Sequence, residues 1–189
     1  MKLVSWNYRG QGGSIKVEAL KNIINTKKQD ILLVQETKVP EEEVMSRSSL
    51  FWKYSVGKAI SSRGASGGIT TLCRADKYNI KSAKENTHWI LVEVQNRSNL
   101  ELIYICNVYG PTHYKEKMDF WESLLSLKTD LHGKEIVIAG DFNTTKSSLE
   151  KRGGSIIRDP FGEKLEDLKE DLYLLNPMPK NGKYTCSNK

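Results

Sequence analysis

With 189 residues, 29 Lys and Arg against 23 Asp and Glu (net charge +6) and 38% hydrophobic residues, the chain has the length of one domain, 1–189, and enough apolar content to bury a core. No apolar run approaches the ~18 residues that span a bilayer, and Met1-Lys2-Leu3-Val4-Ser5-Trp6-Asn7 turns polar too early for a secretory signal, which excludes a membrane protein. Three widely spaced cysteines, Cys73, Cys106 and Cys186, exclude a disulfide scaffold and a Cys-x-x-Cys zinc site, and fit a reducing, intracellular compartment.

In chain order, Leu3 to Trp6 reads as a strand. From about Ile15 to Lys28 the residues Val17, Leu20, Ile23 and Ile24 share one face at helical period. Ile31-Leu32-Leu33-Val34 is a continuous apolar run, the signature of a strand buried on both faces. Pro40 followed by Glu41, Glu42 and Glu43 predicts a helix start with proline in the first position. Trp52, Tyr54 and Val56 alternate as in a strand, Gly67-Gly68 precedes a strand from Ile69 to Cys73, and Tyr78 to Ser82 is a weaker strand. Thr87 to Gln95 and Leu100 to Val108 flank the turn-forming Asn96-Arg97-Ser98-Asn99 and read as a hairpin. A helix is expected from about Lys115 to Leu131, with Met118, Trp121, Leu124, Leu125 and Lys128 at helical spacing and Trp121 on its apolar face. Ile136 to Ala139 reads as a buried strand, and Asp159-Pro160 as the cap and first turn of a last helix carrying Phe161, Leu165, Leu168 and Leu172. Strands and helices intermingle without a strict βαβ repeat, so the fold class is layered α/β with mixed sheets covered by helices.

In such folds chemistry gathers just beyond strand C-termini. Four strand ends carry unexpected polar groups: Trp6-Asn7, Gln35-Glu36-Thr37, Asn107-Val108-Tyr109-Gly110-Pro111 and Gly140-Asp141-Phe142-Asn143. Carboxylate and amide oxygens are hard ligands that suit Mg²⁺ or Mn²⁺. A hard cation beside a second carboxylate is a constellation for cleaving a phosphate ester. Each piece also has an ordinary reading. Asn7 and the Gly140 to Asn143 stretch have turn composition, Glu36 alone is a surface carboxylate, and Tyr109 alone is a partly buried aromatic. The net charge fits a polyanionic partner as readily as a solvated basic surface.

Taken together, Ser5-Trp6-Asn7-Tyr8-Arg9-Gly10, Val34-Gln35-Glu36-Thr37-Lys38, Ser66-Gly67-Gly68-Ile69, Asn107 to Pro111, Gly140 to Asn143, Ser148 to Gly154 and Tyr184-Thr185-Cys186-Ser187-Asn188 resemble, in order, the motifs of the endonuclease/exonuclease/phosphatase superfamily. The resemblance is strongest to the endonuclease domain of plant LINE-type (non-LTR) retrotransposons, where cysteine is commoner than Tyr8 and tryptophan is usual at Cys186. It implies a four-layer α/β sandwich of two mixed β-sheets flanked by helices, DNA as the substrate, Mg²⁺ or Mn²⁺ as the cofactor and a nuclear site of action. It also implies roles. Asn7 and Glu36 bind the metal or the phosphate it contacts, and Tyr109 bonds the scissile phosphate. Asp141 orients or deprotonates the attacking water, and Asn143 positions that water or stabilises the transition state.

The family pattern continues into a final Ser-Asp-His, whereas this sequence stops at Lys189. The expectation is therefore a sheet lacking its last strands, with an open edge for a protein partner or a second copy, and impaired hydrolysis. The alternative is a catalytically inactive, nuclease-derived module that binds nucleic acid or protein; a phosphatase acting on lipid or inositol phosphates is a third reading. Of the histidines, His88 opens a strand, His132 ends a helix, and His113 reads as a loop or helix N-terminal residue.

Overall fold

The computed structural model describes residues 1–9, 14–63, 66–145, 151–152, 159–177 and 186–187. The chain divides into two units, Met1–Tyr109 with Lys134–Asp141, and Gly110–Gly133 with Phe142–Lys189.

The first unit contains, in chain order, β1 (Leu3–Asn7), α1 (Ser14–Lys27), β2 (Ile31–Gln35), α2 (Glu41–Phe51), β3 (Ser55–Arg63), β4 (Ser66–Arg74), β5 (Tyr78–Glu85), β6 (Trp89–Asn96), β7 (Leu102–Tyr109) and β8 (Ile136–Asp141). Two four-stranded mixed sheets result, ordered β1-β2-β4-β3 and β5-β6-β7-β8. In the first, β1 and β2 run parallel and the other pairs antiparallel; in the second, β7 and β8 are the parallel pair. The expected α/β class, with two mixed sheets and flanking helices, is the observed one.

The apolar run of β2 explains the layering. Alternate residues of a strand point to opposite faces. Ile31 and Leu33 join Ile69 and Cys73 against Ile90, Val92, Val94 and Ile105 of the other sheet. Leu32 and Val34 join Leu72 against Leu20 and Ile24 of α1 and Met45 and Phe51 of α2. Each fully buried side chain of this size contributes about 1.5–3 kcal/mol. A single polar substitution in β2 would therefore spoil one core or the other.

Three local expectations are corrected in this unit. Trp52 and Tyr54 do not belong to a strand, because α2 runs on to Phe51 and the Trp52 N–H donates to the Ser48 carbonyl at 2.7 Å. Pairing with β4 begins only at Ser55, opposite Arg74. Pro40 occupies the cap position of α2, one residue before the helix, instead of its first turn. The β8 strand is half-buried along its length, because it ends the strand order of its sheet among the described residues.

The second unit holds α3 (Tyr114–Leu125), α4 (Lys128–Leu131), α5 (Gly162–Asp171) and a two-residue parallel pair of β9 (Lys151–Arg152) with β10 (Cys186–Ser187). The one helix expected over this stretch is thus two. The Ser126 hydroxyl donates back to the Ser123 carbonyl at 2.7 Å and the Leu127 N–H reaches Leu124, tightening and ending the last turn of α3. Its buried stripe is Lys117, Phe120, Trp121 and Leu124. Met118, which shares helical spacing with Trp121, is 49% exposed, since it lies about 100° round the helix from Lys117. Asp159 does not cap α5; Phe161 stands at the cap, and Asp159 Oδ1 accepts the Phe161 N–H at 3.0 Å to close a turn before it. Gly10, Ser148 to Glu150, Gly153, Gly154, Tyr184, Thr185 and Asn188, which carry parts of the sequence motifs, lie outside the described residues. No helix among the described residues is long and apolar enough to cross a membrane.

Candidate active site

Two parallel strand pairs bring the predicted residues of the first unit to one edge. In the β1–β2 register Asn7 lies opposite Gln35, which puts Glu36 one step beyond. In the β7–β8 register Tyr109 lies opposite Asp141. Both β1 and β2 pack on β8, and β2 also packs on β7. Strands that run parallel end together, so four residues spread over the sequence meet at the C-terminal ends of their strands.

Side-chain contacts fix the cluster. Asn7 Nδ2 donates to Asp141 Oδ2 at 2.7 Å, while Asn7 Oδ1 accepts the Arg9 N–H at 3.1 Å. A carboxylate on one side and an N–H donor on the other leave only one orientation for the amide. Burial, then the negative charges of Glu36 and Asp141, push the Tyr109 phenol up to about 12. Tyr109 is therefore a proton donor throughout the neutral range.

The Glu36 loop is held in an unusual backbone conformation. Glu36 and Lys38 have φ of 57° and 58°, values uncommon outside glycine. Backbone bonds from Thr37 N–H to the Gly68 carbonyl and from Lys38 N–H to the Gly67 carbonyl, both 3.1 Å, tie this loop to the start of β4. Gly68 (φ 84°) must be glycine, because a Cβ there would come within 2.2 Å of Thr37 Oγ1. The Gly67-Gly68 motif thus cradles the loop that presents Glu36.

A buried polar chain beneath the cluster carries no role in the sequence analysis. Gln35 Nε2 donates to Asn107 Oδ1 at 2.6 Å and to Ser5 Oγ at 3.0 Å, and Asn107 Nδ2 donates to the Thr70 carbonyl at 2.9 Å. Gln35 and Asn107 are 1% and 0% exposed. The signal was present, as amides inside apolar runs, but only the tertiary pairing shows that each satisfies the other. His88 flanks the same edge. Its carbonyl accepts the Tyr109 N–H at 2.8 Å, and its Nδ1 lies 3.2 Å from the Tyr109 carbonyl.

Asn143 belongs to the second unit, where Nδ2 donates to the Gly110 carbonyl at 2.7 Å. His113 is the exposed cap residue of α3, the helix N-terminal place that its sequence position suggests. His132 meets the Tyr173 ring edge-on.

Among the described residues no cluster of three or more His, Cys, Asp or Glu side chains is gathered for a metal. The Asn7–Glu36 pair still fits a hard cation of the Mg²⁺ kind, which takes one or two carboxylates and completes its shell with water and phosphate oxygens. The Lys38 ammonium stands 2.9 Å from Glu36 Oε1, so this carboxylate already attracts a cation.

The model of the Endonuclease/Exonuclease/phosphatase family matches residues 4–182. An exodeoxyribonuclease of Bacillus subtilis (strain 168) is 23% identical over 172 residues, 86% of this chain and 66% of that protein. The crystal structure of the AP endonuclease LMAP from Leishmania major superposes with a TM-score of 0.69 at 15% identity, over 90% of this chain and 66% of that one. The endonuclease domain of TRAS1, a telomere-specific non-LTR retrotransposon, gives a TM-score of 0.67 at 16% identity, over 90% and 71%. The chain thus spans 66% of the length of both the Bacillus and the Leishmania protein.

Proposed function

The chain belongs to the Endonuclease/Exonuclease/phosphatase family, and on that premise we propose that it hydrolyses DNA phosphodiester bonds with a divalent cation, Mg²⁺ or Mn²⁺, as one domain over residues 1–189. The family match runs through both units, which supports the single domain. The observation that carries the chemistry is the meeting of Asn7, Glu36, Tyr109 and Asp141 at one edge, with Asn7 hydrogen-bonded to Asp141 and the Tyr109 phenol in the field of the Glu36 and Asp141 charges.

Glu36 and the Asn7 amide oxygen would hold the cation. Bound there, it supplies charge neutralisation at the phosphate oxygens. The Asp141 carboxylate, oriented by the Asn7 N–H, takes the proton of the attacking water. The water oxygen forms the new P–O bond, the P–O bond to the sugar oxygen breaks, and solvent protonates the leaving oxygen. Tyr109, kept neutral by its burial and two carboxylates, donates to a phosphate oxygen as negative charge builds. Asn143 is assigned the second donor role, at the water or the pentacoordinate phosphorus. The resemblance to plant LINE-type endonucleases and the fold shared with the TRAS1 domain support a retroelement origin and DNA as the partner.

Nicking of supercoiled plasmid tests this reading, comparing the chain with Asp141→Asn. Metal-dependent nicking that the substitution abolishes is the expected result. DNA binding with steep salt dependence but no cutting at high Mg²⁺ would replace it with the reading of a catalytically inactive module.

A further inference from the structure

Lys117 occupies the buried stripe of α3, where an amphipathic helix ordinarily places an apolar residue, and it is only 8% exposed. Its ammonium donates to the backbone carbonyl of Asn143 at 2.5 Å and to Asp159 Oδ2 at 3.1 Å, and lies 5.6 Å from the centre of the Phe161 ring. A buried ammonium must be paired and hydrogen-bonded, and both partners here are strong acceptors. Asp159 neutralises the charge. The carbonyl does something else.

Asn143 has φ of 48°, a left-handed conformation that asparagine adopts more readily than other non-glycine residues. Its surroundings hold it there. Lys117 holds the carbonyl, the Gly110 carbonyl accepts from the side-chain Nδ2 at 2.7 Å, and the preceding Phe142 ring stacks on Trp121 at 6.1 Å. Gly110 lies so close that a Cβ on it would sit 2.2 Å from the Phe142 carbonyl oxygen. The lysine contact is charge-assisted and grips the backbone of Asn143 itself.

We propose that Lys117 is a positioning residue: its ammonium clamps the Asn143 carbonyl and so fixes how the Asn143 side-chain amide, the group given a donor role above, is presented. This deepens the nuclease reading and rests on it. Asp159 is the counter-ion that allows the cation to be buried, and through its bond to the Phe161 N–H it anchors the turn before α5 to the same point.

Lys117→Met alone strands the Asp159 charge, so the informative protein is Lys117→Met/Asp159→Asn in the 189-residue chain, beside Lys117→Arg. The double variant should melt close to the wild type, since both charges leave together. It should bind plasmid with KM within about twofold and lose about 10–100-fold in kcat, as expected when a reacting group is slightly misaimed. Lys117→Arg should recover part of that loss. The Asn143 side-chain ¹⁵N–¹H₂ resonances, assigned by their absence in Asn143→Asp, should shift in the double variant. Unmoved resonances, or an unchanged kcat in an active protein, overturn the proposal. A wild-type chain that never nicks overturns the nuclease reading instead, and the Asn143 resonances then decide the clamp by themselves: shifted they uphold it, unmoved they overturn it.

Discussion

Asn7 Nδ2 donates to Asp141 Oδ2 at 2.7 Å, joining two residues 134 positions apart in the chain. The bond spans the two sheets, since Asn7 ends β1 and Asp141 ends β8. It anchors Oδ2 of the carboxylate and helps fix which way the Asn7 amide faces. Asp141→Asn preserves an acceptor at that oxygen, so the fold should lose no more than about 1 kcal/mol. Metal-dependent nicking should fall by at least about 10²-fold, the contribution of a positioned acid–base group. Thermal melts and plasmid assays on the same preparation check both halves. A variant that keeps full activity would remove Asp141 from the chemistry.

Tyr109 supplies a pH prediction. Burial and the charges of Glu36 and Asp141 raise its phenol from 10.0 to about 12. Between those values the unfolded chain has lost a proton that the folded chain retains, so stability falls as pH rises through this window. Below pH 10 the contribution is fully present. Tyr109→Phe should remove this part of the alkaline loss and lower the nicking rate by about 10²–10³-fold, the cost of one transition-state donor. Denaturation measured from pH 9 to 12 on both proteins is the check.

Trp121 is 1% exposed, packed edge-on to Phe120 and stacked with Phe142. Trp121→Ala should cost about 3–5 kcal/mol, as for other large buried truncations. A loss below about 1 kcal/mol in chemical denaturation would mean that the buried face of α3 has been misread.

The Gln35–Asn107 pair should be stability-critical although neither residue touches the proposed substrate. Asn107→Leu leaves Gln35 Nε2 without its 2.6 Å acceptor and the Thr70 carbonyl without its donor. Each orphaned buried group costs about 1–3 kcal/mol. Urea denaturation of the single and double Leu variants measures the coupling, and simple additivity would show that the two amides act independently.

Cys73 and Cys106 are both fully buried, and burial lifts Cys73 to about 12 and Cys106 higher still. Thiolate is the reactive species. At pH 8 both should resist thiol reagents in the folded protein and react at once in denaturant, as residue-resolved mass spectrometry would record.

The sequence by itself determined the elements whose apolar pattern has a single solution. The run Ile31 to Val34 is apolar on both faces of a strand, so it must lie between two layers. Asn7, Glu36, Tyr109 and Asp141 announced themselves as polar groups at strand ends. Local pattern failed where two geometries share it. Trp52, Tyr54 and Val56 alternate whether they form a strand or the turn that follows a helix, and one hydrogen bond from the Trp52 N–H to Ser48 decided the matter. Met118 and Lys117 are neighbours in sequence, yet Asp159 and the Asn143 carbonyl, distant in the chain, reward burial of the charged one. The tertiary structure alone decided which polar groups meet. Asn7 reaches Asp141, Gln35 reaches Asn107, and Tyr109 comes within the field of Glu36, because parallel strands end together. Those pairings are set by sheet register and by the packing of one sheet on another, which no local stretch of sequence encodes.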